Sequence, residues 1–120
     1  MGRILEVLPS AARTATPDDV EIDSLNHAGL IIIVDVTAIV TTPSITVTVK
    51  GVDPASGQDW TILASAAITT VSTTVLRVHP ALAATANLVA DDMLPPQMAV
   101  AVAHGDADEI TYSVAAHLTP

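Results

Sequence analysis

Hydrophobic and polar residues alternate with a period of two over much of this chain. Ile45, Val47 and Val49 fall on one side, and Ser44, Thr46, Thr48 and Lys50 on the other. Successive side chains of a strand point to opposite faces, so this segment predicts a half-buried strand with a wet, threonine-lined face. Met98, Val100 and Val102 alternate with Gln97, Ala99, Ala101 and Ala103, and Ile110, Tyr112 and Val114 alternate with Thr111, Ser113 and Ala115. From Leu30 to Val36 both sides are apolar until Asp35, the pattern of a central strand. Val71 to Val78 is rich in Val and Thr and predicts another strand; Trp60, Ile62 and Leu63 predict a shorter one.

Turn chemistry separates these runs. Thr41-Thr42-Pro43-Ser44 joins the Leu30 strand to the Ile45 strand. In Asp53-Pro54-Ala55-Ser56-Gly57-Gln58, proline presets φ and Gly57 can take positive φ, so a hairpin follows. His104-Gly105-Asp106-Ala107-Asp108 predicts a last hairpin. Strands at roughly 10-residue spacing indicate a sandwich or barrel. The expected fold is all-β: a single antiparallel β-sandwich, Ig-like or jelly-roll-like, with an extended N-terminal arm. Residues 1–18 form the arm and linker, and residues 19–120 the sandwich. Two regions break the pattern. Residues 9–19 lack periodicity and predict an extended linker. Residues 80–97 predict a long crossover or an irregular edge; Thr85, Asn87 and Val89 weaken any helix over 81–90.

Composition narrows the core and the partners. Half of the 120 residues are apolar, yet Phe is absent and Trp60 and Tyr112 are the only aromatics, so Val, Ile, Leu and Ala must fill the interior. Charged residues make up 14%, against about 25% in typical soluble domains. Net charge is −9, from thirteen acids and four bases. That argues against nucleic acid, which needs clustered Lys and Arg, and against an anionic membrane. The longest apolar stretch, Leu30 to Val40, is too short to span a bilayer as a helix, and the opening Met1–Pro9 does not read as a signal peptide. Without Cys there are no disulfides, thiolate metal sites or cysteine nucleophiles.

Candidate chemistry is sparse. His27, His79, His104 and His117 are scattered and read as solvated loop-end residues. Asp106, Asp108 and Glu109 fall short of a calcium loop and read as a polar turn. Asp18, Asp19, Glu21 and Asp23 read as the exposed face of a strand, with Val20, Ile22 and Leu25 partly inward. No nucleophile elbow, phosphate loop or H-E-x-x-H occurs, so no enzyme, cofactor or metal is expected. The positive clue is the N-terminal segment, where Arg3 and Arg13 flank Ile4, Leu5, Val7 and Leu8. Such a segment can add to a neighbour's sheet edge, which makes these six the candidate partner-binding residues. An ordinary first strand of the chain's own sandwich has the same pattern.

The stretches Pro9-Ser10-Ala11-Ala12-Arg13-Thr14, Gly29 to Val36 (GLIIIVDV), Val49 to Gly57 (VKGVDPASG) and His104 to Val114 (HGDADEITYSV) carry a resemblance. In that order they resemble a group of small proteins encoded among virion structural genes of tailed phages of actinobacteria and their relatives. The likeness runs over nearly the whole chain, and its most specific pieces are KGVDPASG and HGDADEITYSV. It implies a virion component made in the host cytoplasm: a decoration protein on the capsid exterior that binds the major capsid protein and cements the shell. It also implies a homo-oligomer, a trimer being common among decoration proteins. The alternatives are a tail or fibre-attachment part, or a carbohydrate-binding module, whose sugar platform would need exposed aromatics. Trp60 and Tyr112 both also read as core fillers.

Overall fold

The computed structural model describes residues 2–120. Nine strands and no helix form among them: β1 (Arg3–Arg13), β2 (Val20–Asp23), β3 (Gly29–Ile39), β4 (Ile45–Val52), β5 (Asp59–Ala64), β6 (Ser72–Val78), β7 (Val89–Ala90), β8 (Gln97–His104) and β9 (Ile110–Thr119). They build a five-stranded sheet in the order β1-β9-β3-β6-β7 and a four-stranded sheet in the order β2-β8-β4-β5. Apart from the β4–β5 hairpin and the β6–β7 connection, each link between consecutive strands passes from one sheet to the other. This interleaving is the jelly-roll form of the sandwich.

The alternation seen in sequence becomes the division between core and solvent. Leu30, Ile32, Val34 and Val36 of β3, and Ile110, Tyr112, Val114, Ala116 and Leu118 of β9, are buried from the five-stranded side. Ile45, Val47 and Val49 of β4 and Met98, Val100 and Val102 of β8 meet them from the other sheet. The interior is a slab of aliphatic side chains with Tyr112 as its largest member.

Several details depart from the expectations. Residues 9–13, expected in a linker, continue β1, which pairs with β9 as far as Arg13↔Ile110. The strand has register shifts between Glu6 and Leu8 and between Leu8 and Ala11. Pro9 lies in the second of these, and an edge strand tolerates its missing N–H. These breaks hid the strand from a period-two reading. The Asp53–Gln58 hairpin forms with Gly57 at φ 78°, and Asp53 N–H donates to Gln58 O at 2.7 Å. The turn after His104 is a corner between sheets rather than a hairpin, because β8 and β9 belong to different sheets. Residues 80–97 run as an irregular loop holding β7, and β7 pairs parallel to β6 in an otherwise antiparallel structure. Leu25, expected partly inward, sits in a turn at φ 50° and is 43% exposed.

Candidate functional site

β1 divides the six N-terminal candidates between core, rim and surface. Val7 is buried, and Leu5 and Leu8 pack against the core from half-buried positions. Arg13 reaches back across the strand, donating to the carbonyls of Tyr112 at 2.8 Å and Pro9 at 2.6 Å. Its guanidinium lies 4.6 Å from the centre of the Tyr112 ring, a cation–π contact. Arg3 is exposed, and Ile4 is 74% exposed. The candidates therefore do not form one surface, and most of their apolar area lies inside this chain.

What Ile4 does join is the outer face of the five-stranded sheet. Cross-strand partners share a face, so the register assigns its rows. One row runs Ile4, His117, Ile31, Arg77 across β1, β9, β3 and β6. The next runs Glu6, Ala115, Ile33, Val75, and the third holds Ser113, Asp35 and Thr73. Antiparallel sheets with one face on a core usually carry polar residues on the other. Here the middle of the outer face is Ile31, Ile33, Val75 and Ala115, all half-buried by their neighbours alone. The apolar-on-both-sides run of β3 signalled this face in the sequence. It predicts a strand covered on both sides, whereas the two-layer fold covers only one.

Arg77 is exposed and makes no ion pair among the described residues. Asp35, two rows away, accepts a hydrogen bond from Thr73 Oγ1 at 3.3 Å and has no cationic partner there. Lys50, by contrast, is held by Asp19 at 3.1 Å and Asp59 at 3.4 Å on the other sheet. Those two carboxylates raise the Lys50 pKa despite a desolvation cost.

A polar cluster closes the end of the sandwich near Arg13. His104 Nε2 lies 2.8 Å from Tyr112 Oη. The tautomer of the ring sets which of the two donates. Burial pushes the His104 pKa below its ordinary value; the Arg13 guanidinium adds to this and Asp106 opposes it. Burial likewise pushes the Tyr112 pKa up, against Arg13. Asp108 accepts from Thr42 N–H at 3.2 Å, and Asp106 from Asp108 N–H at 3.1 Å, so these acids shape the corner. Among the described residues no three His, Asp or Glu side chains converge as a metal site would require. His79 Nδ1 accepts from Ala81 N–H at 2.9 Å, and His27 Nδ1 lies 2.8 Å from Ser24 O.

The two aromatics part company. Tyr112 is fully buried, while Trp60 is 48% exposed. Trp60 faces Gly51 across the β4–β5 ladder, and its ring lies where a Cβ on Gly51 would be. The glycine lets the indole lie on the strand at the mouth of a shallow cleft of about 330 Å³ lined by Asp92, Met93, Leu94, Pro95 and Pro96.

No protein-family model matches this chain, and no curated protein matches it. Among solved structures, one of infectious bursal disease virus, Gx strain, is similar with a TM-score of 0.45 at 10% sequence identity. The match covers 98% of this chain and 32% of that chain. A likeness at that level assigns neither a family nor a function.

Proposed function

We propose that this chain is a structural component of a tailed-phage virion: a decoration protein seated on the outer surface of the shell built by the major capsid protein. The observation that carries the reading is the outer face of the five-stranded sheet. Ile4, Ile31, Ile33 and Val75 line up there with no layer over them. An apolar sheet face that stays open to solvent marks a place where another molecule binds. The resemblance carried by KGVDPASG and HGDADEITYSV points to a virion as the setting. The jelly-roll order adds an analogy of fold, since it recurs in viral capsid and lectin domains. Many copies on one shell would turn modest single contacts into firm attachment and resist outward pressure on the capsomers.

The test is co-sedimentation of the purified chain with empty shells of the major capsid protein, together with antibody labelling of whole particles. Saturable binding at a fixed ratio and label on the head are expected. Label confined to the tail would move the protein to the tail, and absence from purified particles would end the proposal.

Trp60 favours a second reading. An indole held on Gly51 beside a cleft is the platform a sugar ring stacks on, and Asp92 lies at its rim. Glycan-array binding that disappears in Trp60→Ala, with the fold intact, would support a carbohydrate-binding module.

A further inference from the structure

We propose that the outer face of the five-stranded sheet is self-complementary and that a second copy of this chain packs on it, related by a two-fold axis. The inference rests on reading this face as an assembly surface. It does not depend on the virion setting, and it competes with the shell for this face: a face closed by a second copy is not free to seat on capsomers.

Consider the rows in order along β3. The Ile31 row carries Arg77, His117 and, at the β1 edge, Ile4; the Ile33 row carries Val75, Ala115 and, at the β1 edge, Glu6; the Asp35 row carries Ser113 and Thr73. Alternate residues of a strand are about 6.7 Å apart, so the Arg77 and Asp35 rows are separated by roughly 13 Å, with Ile33 midway. Cationic and anionic ends thus flank an apolar centre. A two-fold axis running across the strands through the Ile33 row lays this face on its copy with the row order reversed. Arg77 and His117 of one copy then meet the row of the partner copy that contains Asp35, and the reciprocal contact forms at the other end. Ile33 and Ala115 close the centre near the axis, and the two Glu6 side chains face each other only at the exposed β1 edge, where solvent screens them. Packed sheets stand about 10 Å apart, a gap that an arginine side chain crosses. A two-fold axis running along β3 instead would keep the row order and set Asp35 over Asp35, which is repulsive.

The charge inventory favours this occupant. At net charge −9, most of this surface repels a second copy. On this face, however, Arg77 offsets Asp35, and only Glu6 at the β1 edge is left uncompensated, far less excess charge than the chain as a whole carries. Lys50 is already held by Asp19 and Asp59, and Arg13 by backbone carbonyls, so neither competes for Asp35. Arginine and aliphatic side chains together are also what the energetic centre of an interface needs.

The experiment is sedimentation equilibrium of the full chain with single and paired charge swaps, each variant checked for an unchanged melting profile. The wild type should have twice the 12.3 kDa chain mass. Arg77→Asp alone and Asp35→Arg alone should each weaken association by about tenfold or more, and the double swap should restore most of it. Ile33→Glu should give a folded monomer. If Asp35→Arg fails to fold, Asp35→Asn paired with Arg77→Gln gives the same comparison without charge reversal. There each single change should weaken association, and the pair should weaken it less than the two effects combined. A wild type that stays monomeric would overturn the inference, as would a three-copy mass indifferent to the swaps, or single-swap losses that the double swap leaves unrepaired. Failure here leaves shell binding to be judged by its own assay.

Discussion

Replacing Gly51 with alanine should lift the Trp60 indole off β4. The new Cβ would collide with ring atoms Cζ2, Cη2 and Cε2, so the ring has to move. Trp60 is 48% exposed, so about half of its surface is covered in the native state. A tryptophan buries at most about 250 Å², which puts ~120 Å² at stake, or about 3 kcal/mol at 25 cal/mol per Å². Two effects offset this. Alanine in a strand is better than glycine by roughly 0.5–1 kcal/mol, and a ring that re-seats keeps part of its contact. The net loss should be about 1–2 kcal/mol, which lowers Tm by roughly 4–8 °C in a domain of this size. Trp60 is the only tryptophan, so its fluorescence reports the displacement directly. Native-state emission should shift to the red, and the urea midpoint should fall with an unchanged slope. Unchanged emission together with an unchanged midpoint would refute the placement of the ring on Gly51.

Tyr112→Phe removes the hydroxyl partner of His104 Nε2 and should cost about 1–2 kcal/mol by chemical denaturation, because the imidazole nitrogen loses its partner in a partly buried site. Burial holds the His104 pKa below the ordinary histidine value of about 6.5. In acid the unfolded chain therefore binds the proton first, so stability should be flat above about pH 6.5 and fall as pH drops below it. Melting curves of His104→Gln should lose that part of the slope, and an identical slope would count against the assignment. Thr41 is β-branched yet sits at φ 65°. Thr41→Gly should raise stability by roughly 0.5–1 kcal/mol, read as a higher urea midpoint. Lys50→Met breaks two exposed ion pairs and should change stability by less than about 1 kcal/mol, with the difference shrinking in high salt.

Strands β3, β4, β8 and β9 were legible because each keeps one apolar face against the core, and a period of two records that directly. The Asp53–Gln58 hairpin was legible because its turn depends on local proline and glycine chemistry. Which sheet a strand joins was not legible. The His104–Asp108 turn looks the same in sequence whether it closes a hairpin or turns a corner, since the difference lies in distant partners. β1 was half visible, because its bulges shift the inward set from Leu5 and Val7 to Leu8 and hide the periodicity. The outer face was present in the sequence as Ile31 and Ile33, but its width was not. Val75, Ala115 and Ile4 come beside them only through the register of three other pairs of strands. Trp60 looked like a core filler, and only its pairing with Gly51 explains how a tryptophan rests at the rim.

The position of β9 between β1 and β3 has a consequence during synthesis. These two early strands have no common neighbour until residues 110–119 have been made. About 70 positions separate the end of β3 from the start of β9, several seconds of translation at roughly 5–20 residues per second. Throughout that interval β3 shows the surrounding solvent a bare strand edge and grease on both sides. A ribosome stalled before residue 110 therefore holds a sticky half-sheet rather than a smaller working domain, and the nascent chain depends on a swift finish or on a chaperone's cover.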